Sequence, residues 1–116
     1  MKSRWILIGG LLAATASAQM DMGSGAAATP FAQTMKTGMD RMDRDMAAAP
    51  MNGNPDHDFV TMMIPHHQGA IDMAKGELEY GKDPEMRHLA QQIVADQQAE
   101  IDLMNVWLKK NAAPQP

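Results

Sequence analysis

A chain of 116 residues with a formal charge of −4 has room for one small domain and not for two. Without cysteine it forms neither a disulfide nor a thiolate metal site, so burial, self-assembly or a different ligand chemistry must hold it together. The acidic balance argues against nucleic acid as a partner, and 13 methionines against two Trp, one Tyr and two Phe make thioether sulfur its most distinctive group.

Lys2 and Arg4 precede an apolar run from Trp5 to Ala14, and Ala16-Ser17-Ala18 follows as a small-residue cleavage site. That order predicts a signal peptide over residues 1–18, removed near Ala18 to leave the protein periplasmic or secreted. The run is shorter than the ~20 residues of a spanning helix, so no stable membrane insertion is expected after cleavage. Residues 19–29 are small, polar and glycine-rich, which predicts a disordered leader containing Met20 and Met22.

Thr29-Pro30 reads as an N-cap followed by proline at the first helical position. Phe31, Met35, Met39, Met42 and Met46 then recur at steps of four and three, which places them on one helix face. A loop from Ala49 to Pro55 ends the pattern. A second helix is expected to start near Asp56 or Asp58, either of which could cap it. Its core stripe is Val60, Ile64, His67, Ile71, Ala74 and Leu78, and Phe59, Met63, His66, Ala70, Met73 and Glu77 lie beside it. Pro65 removes one backbone bond and predicts a kink or local break, and Gly81 is placed to end the helix.

Asp83-Pro84-Glu85 opens a third helix with a cap, a first-turn proline and an acidic first turn. Its stripe runs through Met86, Leu89, Ala90, Ile93, Gln97, Ile101, Met104 and Leu108. Lys109 and Lys110 suit its C-terminus, and residues 111–116 read as a frayed tail. No strand pattern is present. The expected architecture is a single all-α domain over residues 30–110, an up-down bundle with three helices. Three helices leave apolar faces uncovered, and a homodimer would complete a larger bundle.

The tandem His66-His67 is the centre of the chemical argument. Consecutive helical residues point about 100° apart, so the two rings need not share an ion. Met62 and Met63 lie one turn before His66, and Met73 two turns after it, on the same side. Thioethers select Cu(I), and imidazole suits copper in either oxidation state. Copper is therefore the expected ligand, with Cu(I) favoured and Cu(II) accessible. The candidate ligands are His66, His67, Met62, Met63, Met73 and the row Met35, Met39, Met42, Met46.

Each candidate has a plainer explanation. His67 falls in the core stripe and would be satisfied by Gln97 or Glu100 of the third helix. The four methionines of the first helix would serve as an ordinary core face, although leucine packs with better-defined rotamers. Glu85-Met86-Arg87-His88 has di-iron spacing, but such bundles need two copies and further inward glutamates. No nucleophile triad, phosphate loop or zinc-protease motif occurs, so no enzyme is expected.

The stretch from Asp58 to Ala74 (DFVTMMIPHHQGAIDMA) resembles the hallmark of the domain-of-unknown-function 305 family. Leu89, Ala90, Ile93, Gln97, Glu100, Ile101, Met104, Trp107 and Leu108 are similar to its last helix. The resemblance implies a ferritin-like helical bundle, commonly exported. Members similar to the CopM copper-binding proteins are associated with periplasmic copper resistance. It also points to Met63, His66, His67, Met73 and Met104 as shared polar and sulfur positions, with Gln97 and Glu100 as inner partners. The helix from Met35 to Met46 is similar to the Met-rich segment of copper-binding members.

Two functions follow from these readings. One is a non-enzymatic exported protein that sequesters or shuttles Cu(I), exchanging it with a periplasmic partner. The other is a Met-rich interaction or scaffold module, a holdase or oligomer without metal, because flexible thioether surfaces adapt to varied apolar partners.

Overall fold

The structure is a computed structural model and describes residues 29–111. The expected signal peptide, the rest of the leader and residues 112–116 lie outside the described residues. Within them the protein is all-α, with α1 spanning Pro30–Ala47, α2 Pro55–Tyr80 and α3 Pro84–Asn111.

All three helices begin by the same device. A short polar side chain accepts the first free amides, and proline follows where no amide is needed. Thr29 Oγ1 accepts from Ala32 N–H at 3.1 Å, and Asp83 Oδ1 from Met86 N–H at 3.0 Å. At α2 the cap is Asn54, whose Oδ1 accepts from Asp56 at 2.9 Å and His57 at 3.3 Å. This corrects the expectation that Asp56 or Asp58 caps the helix. Both sit inside its first turn, where their charge suits the helix N-terminus.

Asp58 instead turns back onto the loop before α2. It accepts from the amides of Asn52 and Gly53 at 2.9 and 3.0 Å and from His57 Nδ1 at 2.9 Å. Thr61 adds a hydroxyl donated to the Pro50 carbonyl at 2.7 Å. Gly53 has φ +86°, a left-handed conformation that a side chain would strain. Helix α2 runs through Pro65 without a break. It ends at Gly81, which is extended rather than left-handed (φ −73°, ψ 152°). There Arg87 donates to the carbonyls of Leu78 and Gly81 at 2.7 and 3.0 Å, satisfying acceptors the helix leaves open.

The hydrophobic core lies between α2 and α3. Val60, Ile71, Ile101 and Met104 are buried there, with Met63, Ile64, Val94, Trp107 and Leu108 packed around them. Burying an aliphatic side chain of this size contributes about 1.5–3 kcal/mol, so this pair of helices holds most of the stability. Two members of the expected α3 stripe depart from it: Met86 and Leu89 are 47% and 45% exposed. Among the described residues no helix covers their side of α3.

The reason is the position of α1, which packs on α2 alone; no Cα of α1 comes within 8 Å of α3. The array is an open up-down-up layer with α2 in the middle. Gly38 is the only buried residue of α1. The α1–α2 seam is formed by methionines lying over glycines. A β-carbon on Gly69 would stand 2.5 Å from Met42 Sδ, and one on Gly76 would stand 2.9 Å from Met35 Cε. Phe31 and Tyr80 close one end edge-to-face, with ring centroids 6.3 Å apart. Among the described residues no helix is long and apolar enough to cross a membrane.

Candidate metal centre

The two tandem histidines have separate environments. His67 is buried against α3, and both of its ring nitrogens are engaged. Nδ1 donates to the Met63 carbonyl at 2.9 Å, while Nε2 meets Glu100 Oε2 in a short hydrogen bond. Of the two α3 partners considered for it, Glu100 is the one in contact. His66 is exposed, its ring nitrogens take no protein hydrogen bond, and its ring stands edge-on to His67 with centroids 6.2 Å apart. Of the pair, His66 is therefore the one with a lone pair open to solvent.

The methionines divide in the same way. Met104 is 9% exposed inside the α2–α3 core, and Met63 packs against that cluster. Met35 and Met42 sit in the glycine notches of the seam. Met39 is 49% exposed, and Met46, Met62 and Met73 are half-buried. The structure thus divides the α1 row, which sequence alone leaves as one face, into Met35 and Met42, set in the glycine notches, and Met39 and Met46, which lie to one side of them.

The register of the seam shows where those outer methionines lie. Met35 over Gly76 and Met42 over Gly69 fix α1 and α2 as antiparallel. Continuing that register sets Met39 level with residue 72 and Met46 level with residue 65. At 100° per residue, Met39 and Met46 fall on one side of the seam, and Met62, His66 and Met73 fall on the same side of α2. The other side is a polar cleft lined by Thr37, Arg41, Asp72, Lys75, Glu79 and Tyr80. One flank of the α1–α2 pair is therefore charged and the other carries sulfur and imidazole.

A groove of about 300 Å³ continues the sulfur flank toward α3, lined by Ala70, Met73, Glu77, Met86, Leu89 and Ile93 among others. Met86 therefore shares a groove with Met73, although the sequence offered it only as a core residue. The antiparallel α2–α3 register is the signal that would have found it. Among the described residues no three His, Asp or Glu side chains converge on a common point. Any ion held on this flank depends on thioethers for the balance of its ligands. Glu85 and His88, at di-iron spacing, are both exposed, and His88 approaches Gln92 at 3.3 Å instead.

Asp58 is an ionisable group shifted from its usual range. Its carboxyl is held below that range by the hydrogen bond from His57, then by the amides of Asn52 and Gly53. It anchors the loop at the start of α2, about two turns before His66, and adds no ligand to the sulfur flank.

The chain is similar to an uncharacterized protein, L153, of Acanthamoeba polyphaga mimivirus, with 44% identity over 50 residues. That match covers 43% of this chain and 33% of the viral protein, so the chain spans about a third of that relative. A family profile, described as Domain of unknown function (DUF305), matches residues 9–108. The chain belongs to the DUF305 family.

Proposed function

We propose that this chain is a non-enzymatic, exported copper-binding protein similar to the CopM group, which sequesters or shuttles Cu(I). The observation that supports this most directly is His66, exposed and without a hydrogen-bond partner, on the flank shared with Met46, Met62 and Met73. An imidazole and soft thioethers suit Cu(I), and a site without thiolate suits exchange with a periplasmic acceptor. Cu(II) would be held less well, because the carboxylates it prefers do not converge here. Met39 and Met86 lie at the margins of the same flank and extend the sulfur surface.

An anaerobic titration of the purified chain against a chromophoric Cu(I) chelator, run beside His66→Leu, tests this reading. Competition by the wild type that weakens by about tenfold or more in the variant supports it. Failure of the wild type to compete sinks it.

A second reading, an interaction or scaffold module, draws support from a different place. Phe59 and Leu103 are 62% and 68% exposed beside a largely apolar groove of about 340 Å³ that also includes Val60, Met104 and Trp107. Exposed apolar patches of this kind mark contact sites with proteins, and a second copy of the chain is one candidate. Self-association that persists without copper and is abolished by Leu103→Glu would favour it.

A further inference from the structure

The seam between α1 and α2 depends on two sulfur atoms and little else. No side chain of α1 is fully buried, and α1 touches no helix other than α2. Beside the two sulfur atoms lie the Phe31–Tyr80 ring contact, the close approach of Gly38 to Asp72, Thr34 at the edge of the Gly76 notch, and an Arg41–Asp72 ion pair at 3.8 Å, with Arg41 largely exposed. A surface pair of that kind contributes little. Met42 lies so close over Gly69 that a single added carbon would meet Sδ at 2.5 Å, Cγ at 2.8 Å and Cβ at 3.0 Å. One heptad away Met35 reaches into the Gly76 notch with its terminal methyl, where an added carbon would meet Cε at 2.9 Å and Sδ at 3.9 Å. Both methionines are only half-buried, so a small solute can reach them from the side. In a chain without cysteine, these thioethers are the sulfur available to an oxidant.

We propose that Met35 and Met42 form a reversible oxidation site whose conversion to sulfoxide releases α1 from α2. The oxidant is a peroxide. A sulfur lone pair attacks one oxygen of hydrogen peroxide, the S–O bond forms as the O–O bond breaks, and the departing hydroxide takes the proton from the new S–OH group, leaving sulfoxide and water. The thioether is oxidised by two electrons and the peroxide is reduced by two. On Met42 the new polar oxygen sits on an atom that has no free space toward α2, and on Met35 it sits one bond from the methyl that fills the notch; in either place that oxygen requires hydration. The modified side chain must leave its notch, and the buried residue of α1, Gly38, has no side chain with which to hold the helix in place. The α2–α3 core contains Met104, buried among Ile101, Val60 and Ile71, and stays intact. Enzymes that reduce methionine sulfoxide return the side chain to its thioether and restore the seam. This inference does not depend on copper and is tested without it.

The experiment treats the full chain with increasing hydrogen peroxide in the presence of a metal chelator. Sulfoxide at each methionine is mapped by peptide mass, and helix protection is followed by amide hydrogen exchange. Met39 and Met51, 49% and 59% exposed, serve as internal references that oxidise first. The expected result is a fall of about tenfold or more in α1 protection once Met35 and Met42 are modified, with α2 and α3 unchanged. Sulfoxide reductase should restore it, and Met35→Leu/Met42→Leu should resist the same dose. Two results overturn the proposal: α1 protection that survives oxidation at both sites, or protection lost while only Met39 and Met51 are oxidised. If the leucine variant does not dock α1 even before treatment, the reductase reversal on wild type decides the matter, and failure to recover protection counts against the proposal.

Discussion

His67 and Glu100, 33 residues apart, form the one side-chain to side-chain hydrogen bond that joins two helices among the described residues. Because the Met63 carbonyl can only accept, His67 Nδ1 must carry a hydrogen, and Nε2 is the ring atom that meets the Glu100 carboxyl. The tandem histidines therefore call for opposite experiments. His67→Ala should lower stability by about 2 kcal/mol, from lost packing and an interrupted bond, and Glu100→Ala by about 1 kcal/mol because water reaches that carboxylate. His66→Ala should stay within about 0.5 kcal/mol of wild type. Urea denaturation of the three variants checks the order.

Gly69 and Gly76 look equivalent in sequence and should respond differently to alanine. At Gly69 the new methyl meets three atoms of Met42, one of them Cβ, which cannot swing away. Gly69→Ala should cost about 1 kcal/mol net, overpacking outweighing the gain in helix propensity. At Gly76 the closest contact is the terminal methyl of Met35, a flexible end, so Gly76→Ala should be neutral or stabilising by up to about 1 kcal/mol. Combining Gly69→Ala with Met42→Ala should recover part of the loss, and a double-mutant cycle on thermal melts measures the coupling.

The loop before α2 should weaken in acid. Asp58 has its carboxyl lowered by His57 and by the Asn52 and Gly53 amides. A carboxyl lowered on folding stabilises the folded chain at pH values above its unfolded pKa. That contribution is lost as pH falls through the lower, folded value. Asp58→Asn should therefore be less stable than wild type at neutral pH, with the gap closing as the pH falls below about 4. Gly53→Ala, which puts a side chain at φ +86°, should cost about 1 kcal/mol at every pH. Denaturant midpoints across that pH range separate the two effects.

Methionine positions should sort by location. Met46→Leu and Met62→Leu are expected to weaken Cu(I) competition with little change in melting temperature, since neither is fully buried. Met104→Leu should leave copper competition unchanged and shift stability by less than about 1.5 kcal/mol, as volume-conserving core swaps do. Chelator competition and thermal melts on the same three preparations test the assignment.

Much of this arrangement can be read from local sequence, because local chemistry specifies it. Thr29-Pro30 and Asp83-Pro84 start helices since each supplies a cap and a residue that needs no amide. The pairing of His67 with Glu100 follows from a polar residue within an apolar stripe. The α2 cap was harder, because Asn54, Asp56 and Asp58 all can cap, and only the loop geometry commits Asp58 to Asn52 and Gly53. Pro65 sits in an unbroken helix because the neighbouring stripe is packed on α3, and that packing offsets one missing backbone bond. The division of the α1 methionines was not legible. A glycine inside a helical pattern reads as a weak point until the partner helix and its register are known, and only then does it become the notch that claims Met35 or Met42.

Helix packing that joins only consecutive helices also sets how the chain can assemble during synthesis. Every interhelical contact is made between a helix and the next one in sequence, so no closure spans the whole domain. The α1–α2 seam can form before α3 has left the ribosome, but the buried aliphatic cluster waits for Ile101 and Met104 near the end of α3. A nascent chain halted before those residues would hold a helical pair with Val60 and Ile71 bare to water. That makes the synthesis of α3 the interval in which the paired helices need protection from aggregation.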